Sequence, residues 1–260
     1  MSIHSTAIIG KDFQIGSNVQ IGPYCVIEDN VIIGNDNILK SHVFIGENTI
    51  IGNNNKFFQF CAIGDAPQDK KFNNEKTYLI IGDNNAFREY VNISRGTSSD
   101  NAKTIIGNKC LIMSSVHIAH DCILGDNIII STNSALAGHV EIHDNVIIGG
   151  MSGVHQFCSI GSYSMIGGML PIRKNILPYT TFDDRKNHLR LNLIGLRRLM
   201  FTKEQIKDIQ EAIKIISTKN SQFDQKIKLL NHDISEHKLI LDFIQSSNQK
   251  HGFYGIEYDN

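Results

Sequence analysis

An apolar residue returns at every sixth position over most of this chain, and that beat constrains the fold more than any other feature. It runs through Ile9, Ile15, Ile21, Ile27, Ile33, Leu39, Ile45, Ile51, Phe57 and Ile63. After an interruption it resumes in phase at Ile81, Phe87 and Ile93. After a second interruption, shifted by one, it runs from Ile106 through Ile112, Ile118, Leu124, Ile130, Leu136, Ile142, Ile148, Val154, Ile160 and Ile166 to Ile172. All 25 positions are apolar, and 13 of them are followed directly by Gly, which excludes coincidence.

A helix needs a period near 3.6 and a flat strand a period of 2. Six is three strand alternations, so it keeps one side chain inward on each short strand. Strands this short must bend, and successive turns must stack to cover the ladder, which gives a solenoid of parallel strands. The Gly after each ladder position suits a turn residue with positive φ. The pattern resembles that of hexapeptide-repeat solenoids. The resemblance implies three sides, 18 residues per coil and a left-handed winding, none of which the period itself dictates.

Cys25, Cys61, Cys110, Cys122 and Cys158 each stand four residues after a ladder position. One shared phase reads as a small, buried corner position, so neither a disulfide nor a catalytic thiol is expected. The formal net charge of -1 gives no electrostatic reason for a nucleic-acid partner. Apolar runs are too short to span a membrane, and the first residues lack the pattern of a signal peptide. The sequence therefore reads as that of a soluble, cytoplasmic protein.

The beat breaks at about 64–79 and about 94–103, and solenoids eject such insertions as loops. The first, with Gln68-Asp69-Lys70-Lys71, reads as functional; the second reads as a passive connection. Past Ile172 the period changes. The expected division is a β-helix over 1–178 and a helical domain over 179–260. Thr202-Lys203-Glu204-Gln205 has the form of a capping box and precedes Ile206, Ile209, Ile213 and Ile216 at helical spacing. Further helices are expected over about 189–201, 222–230 and 235–245.

Five of the eleven histidines fall between 117 and 155. With 18 residues per coil, His120, Gly138 and Gln156 stack in one column, and Asp121, His139 and Phe157 in the next. His117, His120, Asp121 and His139 then converge within two rungs. Imidazole is the commonest general base near neutral pH. A Gly beside it leaves room for substrate and exposes a backbone N–H of the kind that stabilises an oxyanion. The same histidines leave open a trimeric zinc-dependent hydrolase, and a non-catalytic scaffold trimer.

The strings Pro67-Gln68-Asp69-Lys70-Lys71-Phe72, His117-Ile118-Ala119-His120-Asp121-Cys122, Leu136-Ala137-Gly138-His139-Val140, Ile148-Gly149-Gly150-Met151 and Val154-His155-Gln156-Phe157-Cys158 resemble those of one family. It is the acyl-carrier-protein–UDP-N-acetylglucosamine O-acyltransferases, which begin lipid A synthesis. The resemblance implies a homotrimer that moves a 3-hydroxyacyl chain from acyl carrier protein to the sugar 3-hydroxyl, with no metal or bound cofactor. It implies His120 as general base, Asp121 as its support and the Gly138 N–H as oxyanion donor. It implies that Gln68, Asp69, Lys71, His117, His139, His155, Gln156, Asn192 and Arg198 contact substrate, the first loop reaching a neighbouring subunit. Gly168 matches the position that limits acyl length, and Gly there implies a chain nearer fourteen carbons than ten. The stretch 182–191 departs from the family, as do Ile194, where an acidic residue is usual, and Leu199, where an Arg is usual. These positions help hold the nucleotide, so a related UDP-sugar carrying an amine at C3 is the alternative acceptor.

Overall fold

The computed structural model describes residues 2–99, 101–183, 188–218 and 223–255. Asp100 of the second interruption, residues 184–187 of the divergent stretch and Gln222 at the expected start of a helix lie outside them.

Each ladder residue ends a short strand, as in Ile8–Ile9, Gln14–Ile15 and Gln20–Ile21. Parallel partners lie 18 residues on: Ile9 opposite Ile27, Ile15 opposite Ile33, Ile3 opposite Ile21. The strands sort into three sheets that form the faces of a left-handed parallel β-helix. The first face begins at Ser2–Ile3, the second runs from Ile8–Ile9 to Pro171–Ile172, and the third from Gln14–Ile15 to Ser159–Ile160. Where the interruptions fall, Phe57 pairs with Phe87 and Phe87 with Ile112, so the extra residues leave the coil as loops without breaking the rungs.

From Ile21 to Ile172 every ladder residue is buried. Ile9 and Ile15 are only partly so, because few coils lie beneath them. Burying a side chain of this size contributes about 1.5–3 kcal/mol, so the stacked ladder is the dominant stabilising element.

Apart from Gly64 (φ 81°), the described glycines after the ladder do not take the positive φ that the sequence suggests. The left-handed turn conformation falls three residues after the ladder, at Asp12, Asn18, Asn30, Asp121 and His139, among others. Asn and Asp tolerate that conformation best among side-chain-bearing residues. The glycine serves close approach instead: a Cβ on Gly16 would lie 2.7 Å from the Gly34 carbonyl carbon of the next coil.

The fourth residue after the ladder fills an inside corner. There small polar side chains reach the carbonyl fifteen residues on, from Cys25 to Lys40 O at 2.9 Å, Ser134 to Gly149 O at 3.0 Å and Ser152 to Gly167 O at 3.0 Å. All five cysteines are buried free thiols. Burial pushes the Cys61, Cys122 and Cys158 thiols up to about 12, so they are poor nucleophiles, as their shared phase suggests.

The parallel winding continues past residue 178: Thr180–Asp183 pairs with Met165–Ile166 as a last rung. His188–Leu191 then folds back antiparallel on it. The helix expected over 189–201 thus begins as strand over 189–191, and only Leu193–Arg198 (α1) is helical. Asn192 ends the strand and caps α1, its Oδ1 accepting from Gly195 N–H at 3.1 Å. Helices α2 (Lys203–Ser217), α3 (Phe223–Ile227) and α4 (Ser235–Ser246) follow. The capping box is formed reciprocally: Gln205 N–H donates to Thr202 Oγ1 and Thr202 N–H to Gln205 Oε1. Ile209, Ile216, Ile240 and Phe243 bury a second core with Leu177 and Tyr179, which closes the end of the coil.

Candidate active site

His120 and Asp121 occupy the corner that follows the His117–Ile118 strand of the second face. Asp121 takes the left-handed turn conformation at φ 59°, which swings its carboxylate back beneath the coil. It is 3 % exposed. Its Oδ2 lies 2.8 Å from His120 Nδ1. It also accepts from Thr97 twice, at Oδ1 from the backbone N–H (2.9 Å) and at Oδ2 from the hydroxyl (2.6 Å). Thr104 Oγ1 accepts from the Asp121 N–H at 2.9 Å and fixes the turn. Burial raises the Asp121 pKa, but the hydrogen bonds from His120 and Thr97, with His139 nearby, outweigh it and hold the carboxyl below the usual range.

An ionised carboxylate only accepts, so His120 Nδ1 carries the proton and Nε2 keeps its lone pair. The ring lies directly over Gly138: a Cβ there would stand 2.7 Å from Cε1 and 3.0 Å from Nε2. The Gly138 N–H has no hydrogen-bond acceptor among the described residues, whereas its carbonyl accepts from Phe157 N–H at 3.2 Å. A basic nitrogen and a free amide donor therefore share one notch. That pairing suits deprotonation of a hydroxyl coupled to stabilisation of an oxyanion.

His139 closes the notch. Its Nε2 is 3.8 Å from Asp121 Oδ2, its ring meets His120 edge-on at 5.2 Å, and it stacks on Phe157 at 4.5 Å. His117 lies on the strand that leads into this corner, with Nδ1 2.7 Å from Asn92 Oδ1. Burial, with the His120 charge as a second cause, holds it below the usual imidazole value. On that face His117 is followed rung by rung by Ala135, Gly153 and Pro171, and a Cβ on Gly153 would touch nothing within 4 Å. Gly168 lies beyond, on the next corner, where a Cβ would stand 3.2 Å from Gly150 O. A cavity of about 220 Å³ opens on the other side of Asp121 and His139, reaching Asn101, Ser246 and Asn248.

The predicted column of His120, Gly138 and Gln156 is thus formed, and of the four residues expected to converge His120, Asp121 and His139 meet directly, while His117 is bonded to Asn92. His155 follows Val154 on the next coil, with Nδ1 3.2 Å from Gln156 O. The remaining expected residues make no hydrogen bond or ion pair with His120 or Asp121 among the described residues. Gln68, Asp69 and Lys71 ride on the first loop, where Lys71 N–H donates to Asp69 Oδ1 at 3.0 Å. Arg198 is exposed at the end of α1, and the Asn192 amide is committed to its cap and to Tyr163 O at 2.8 Å.

The second loop is not passive. It supplies Thr97, whose two bonds hold Asp121, and it is tied to the first loop through Ser98 Oγ donating to Glu75 Oε1 at 2.8 Å. The spacing from Thr97 to Asp121 crosses an insertion, so no period in the sequence links them. His120, Asp121 and His139 each bring one ligand atom within 4.8 Å of the others, a geometry that a metal ion can also occupy.

Residues 12–47 and 103–138 match the family model for the bacterial transferase hexapeptide of six repeats, and residues 175–254 match that for domain 2 of UDP N-acetylglucosamine O-acyltransferase. The chain is similar to the acyl-[acyl-carrier-protein]–UDP-N-acetylglucosamine O-acyltransferase of Rickettsia canadensis, 46 % identical over 95 % of this chain and 94 % of that one. The enzyme of the same name from a Psychrobacter species is also 46 % identical, over 94 % of this chain and 96 % of its own. The solved UDP-N-acetylglucosamine O-acyltransferase of Moraxella catarrhalis superposes with a TM-score of 0.92 at 42 % identity, covering 98 % of this chain and all of that one. These likenesses span coil and helices alike and set aside the hydrolase and scaffold alternatives: this chain belongs to the acyl-[acyl-carrier-protein]–UDP-N-acetylglucosamine O-acyltransferase family.

Proposed function

We propose that this acyltransferase moves a 3-hydroxyacyl chain from acyl carrier protein to the 3-hydroxyl of UDP-N-acetylglucosamine, the first step of lipid A biosynthesis. The observation that carries the reading is the notch in which His120 Nε2 faces Gly138. His120 Nε2 takes the proton from the sugar hydroxyl as its oxygen attacks the thioester carbonyl. Asp121 holds the imidazole in the tautomer that accepts that proton and stabilises the imidazolium that forms. The Gly138 N–H donates to the oxyanion. Collapse of the tetrahedral intermediate expels the carrier thiolate, which takes the proton back from His120 Nε2–H.

The small-residue track of Ala135 and Gly153 beside His117 is the route for the acyl chain, and Gly168 marks its far limit. His139 and Gln156 line the sugar side, and His155 supports Gln156 from behind by donating to its carbonyl. Asp69, Lys71 and Gln68 on the ejected loop serve a neighbouring subunit of a homotrimer. Asn192 positions α1, so that Arg198 meets the nucleotide.

The test is a mass-spectrometric assay offering 3-hydroxyacyl carrier proteins of several lengths against a panel of UDP-sugars. Acylated UDP-N-acetylglucosamine is the expected product. Transfer only to a C3-amino sugar would move the acceptor assignment, and no transfer to any sugar would reject the reading. Among the described residues no helix is long and apolar enough to cross a membrane.

A further inference from the structure

A second cluster of metal-ligating side chains lies one coil above the notch, at the seam between the coil and the end of the chain. His155, Cys158 and His251 each place one ligand atom within 4.8 Å of the others. His251 arrives from far along the sequence because the end of the chain is stitched to the coil. Asn175 N–H donates to Gly252 O (3.0 Å), Tyr254 N–H to Asn175 O (3.0 Å) and Asn175 Nδ2 to Asn248 O (2.9 Å). That stitching sets the His251 ring 5.7 Å from the His155 ring.

Cys158 is the exception among its kind. Four of the five corner cysteines donate to a backbone carbonyl, at 2.9 Å for Cys25, 3.0 Å for Cys61, 3.4 Å for Cys110 and 3.2 Å for Cys122. Cys158 is 0 % exposed, yet its thiol has no hydrogen-bond partner among the described residues. The coil does not continue above it in the usual register, since Arg173 N–H turns to the Tyr254 hydroxyl at 3.1 Å. The thiol is buried, unpartnered, and directed at two imidazoles. His155 is also arranged as ligands are: its Nδ1 meets the Gln156 carbonyl at 3.2 Å, which places the proton on Nδ1 and leaves Nε2 as the donor. A carbonyl behind the ring is the usual support of a metal-bound histidine.

We propose that His155, Cys158 and His251 bind one divalent transition-metal ion of the zinc class, which staples the end of the chain to the coil. Two imidazoles and a thiolate select zinc or cobalt over magnesium or calcium, which prefer oxygen. A tetrahedral ion holds its ligand atoms roughly 3.5 Å apart, a small side-chain adjustment from the separation present. Burial alone pushes the Cys158 thiol up to about 12, and a coordinated ion removes that proton outright, so one proton is released as the ion binds.

The experiment uses full-length protein, reduced and freed of metal with a chelator, titrated with cobalt(II) as the probe. The expected result is one cobalt per chain with a near-ultraviolet thiolate-to-cobalt charge-transfer band that zinc displaces. Cys158→Ala abolishes the band, and His251→Ala weakens cobalt binding by more than about 100-fold. Cys122→Ala, at the same corner phase, leaves both unchanged. Alanine at 158 is compatible with folding, since the same phase elsewhere holds Val19, Val31 and Val43; His251 is partly exposed. Absence of the band in the unsubstituted protein, its survival in Cys158→Ala, or a cobalt affinity in His251→Ala within about 10-fold of the unsubstituted protein overturns the proposal.

Discussion

The His120 ring lies so close over Gly138 that a methyl group on that glycine would stand 2.7 Å from Cε1. Gly138 needs no unusual φ, so the constraint is one of space and not of backbone strain. Gly138→Ala is therefore expected to fold normally and to push the imidazole off its line. A displacement near 1 Å costs about 100-fold in rate, and kcat for acyl transfer is expected to fall by that order. An unchanged melting temperature together with an unchanged kcat would show that the ring and the glycine do not work as a unit.

Thr97 is the first residue to test outside the histidine cluster. Thr97→Val removes the hydroxyl bond to Asp121 Oδ2 and keeps the backbone bond to Oδ1. Its kcat is expected to fall by about 10-fold, against about 100- to 10,000-fold for His120→Ala. Thr97→Ser keeps the hydroxyl and is expected to retain most activity. Equal loss in both variants would assign Thr97 to packing.

Asp121 also sets a pH dependence of stability. Its carboxyl titrates below the usual carboxylate range because hydrogen bonds from His120 and Thr97 outweigh burial. A depressed carboxyl contributes stability above its unfolded pKa, near about 4, and loses it as pH falls through the folded value. The stability gap between the unsubstituted protein and Asp121→Asn is therefore expected to be full near neutral pH and to shrink on acidification below about pH 4. Denaturant unfolding at several pH values checks this; a gap that widens toward acid contradicts the sign.

The ladder was fully legible from sequence, because a period of six has few physical solutions and its phase survives both loops. The stacking of His120 against Gly138 follows by arithmetic, since no insertion lies between them. Thr97 and Thr104 were not legible: an inserted loop breaks the count, and their threonines look like any loop threonine. The role of the ladder glycines is ambiguous in sequence for a different reason. A tight turn and a close backbone approach both select Gly, and only the coil above decides between them. Residues 189–191 have a spacing that fits either element, and pairing with Thr180–Asp183 selects the strand.

Gly168 tests the acyl track. A side chain there would start 3.2 Å from Gly150 O and project over a corner where the stacked residue of the preceding coil is also a glycine. Gly168→Met is expected to fold and to shift preference toward shorter 3-hydroxyacyl chains, with kcat/KM for the longest donor falling by more than 10-fold by the loss of several buried methylenes at about 0.8 kcal/mol each. The ratio of rates for long and short donors is the measurement, and an unchanged ratio would remove Gly168 from the track.

The interior of the coil carries one polar feature whose removal is informative. Asn37, Asn55 and Asn85 stack at the corner phase, and all three are buried. Asn55 Oδ1 accepts from Asn85 N–H at 2.9 Å, its Nδ2 donates to Gly82 O at 3.0 Å, and its own N–H donates to Asn37 Oδ1 at 2.8 Å. Phe57 and Phe87 stack beside this run at 4.9 Å, at the rung where the first loop leaves the coil. A shortened side chain at 55 strands one backbone N–H and one carbonyl in the interior, each costing about 1–3 kcal/mol. Asn55→Ala is thus expected to lower stability by roughly 2–5 kcal/mol, seen as a lower midpoint in denaturant, while kcat at permissive temperature stays within about 2-fold because the notch lies coils away. Asn55→Val keeps the volume closer to the original and strands the same two groups, so it is expected to be similarly destabilised. A Val variant as stable as the unsubstituted protein would mean that packing, and not the ladder of amides, holds this corner.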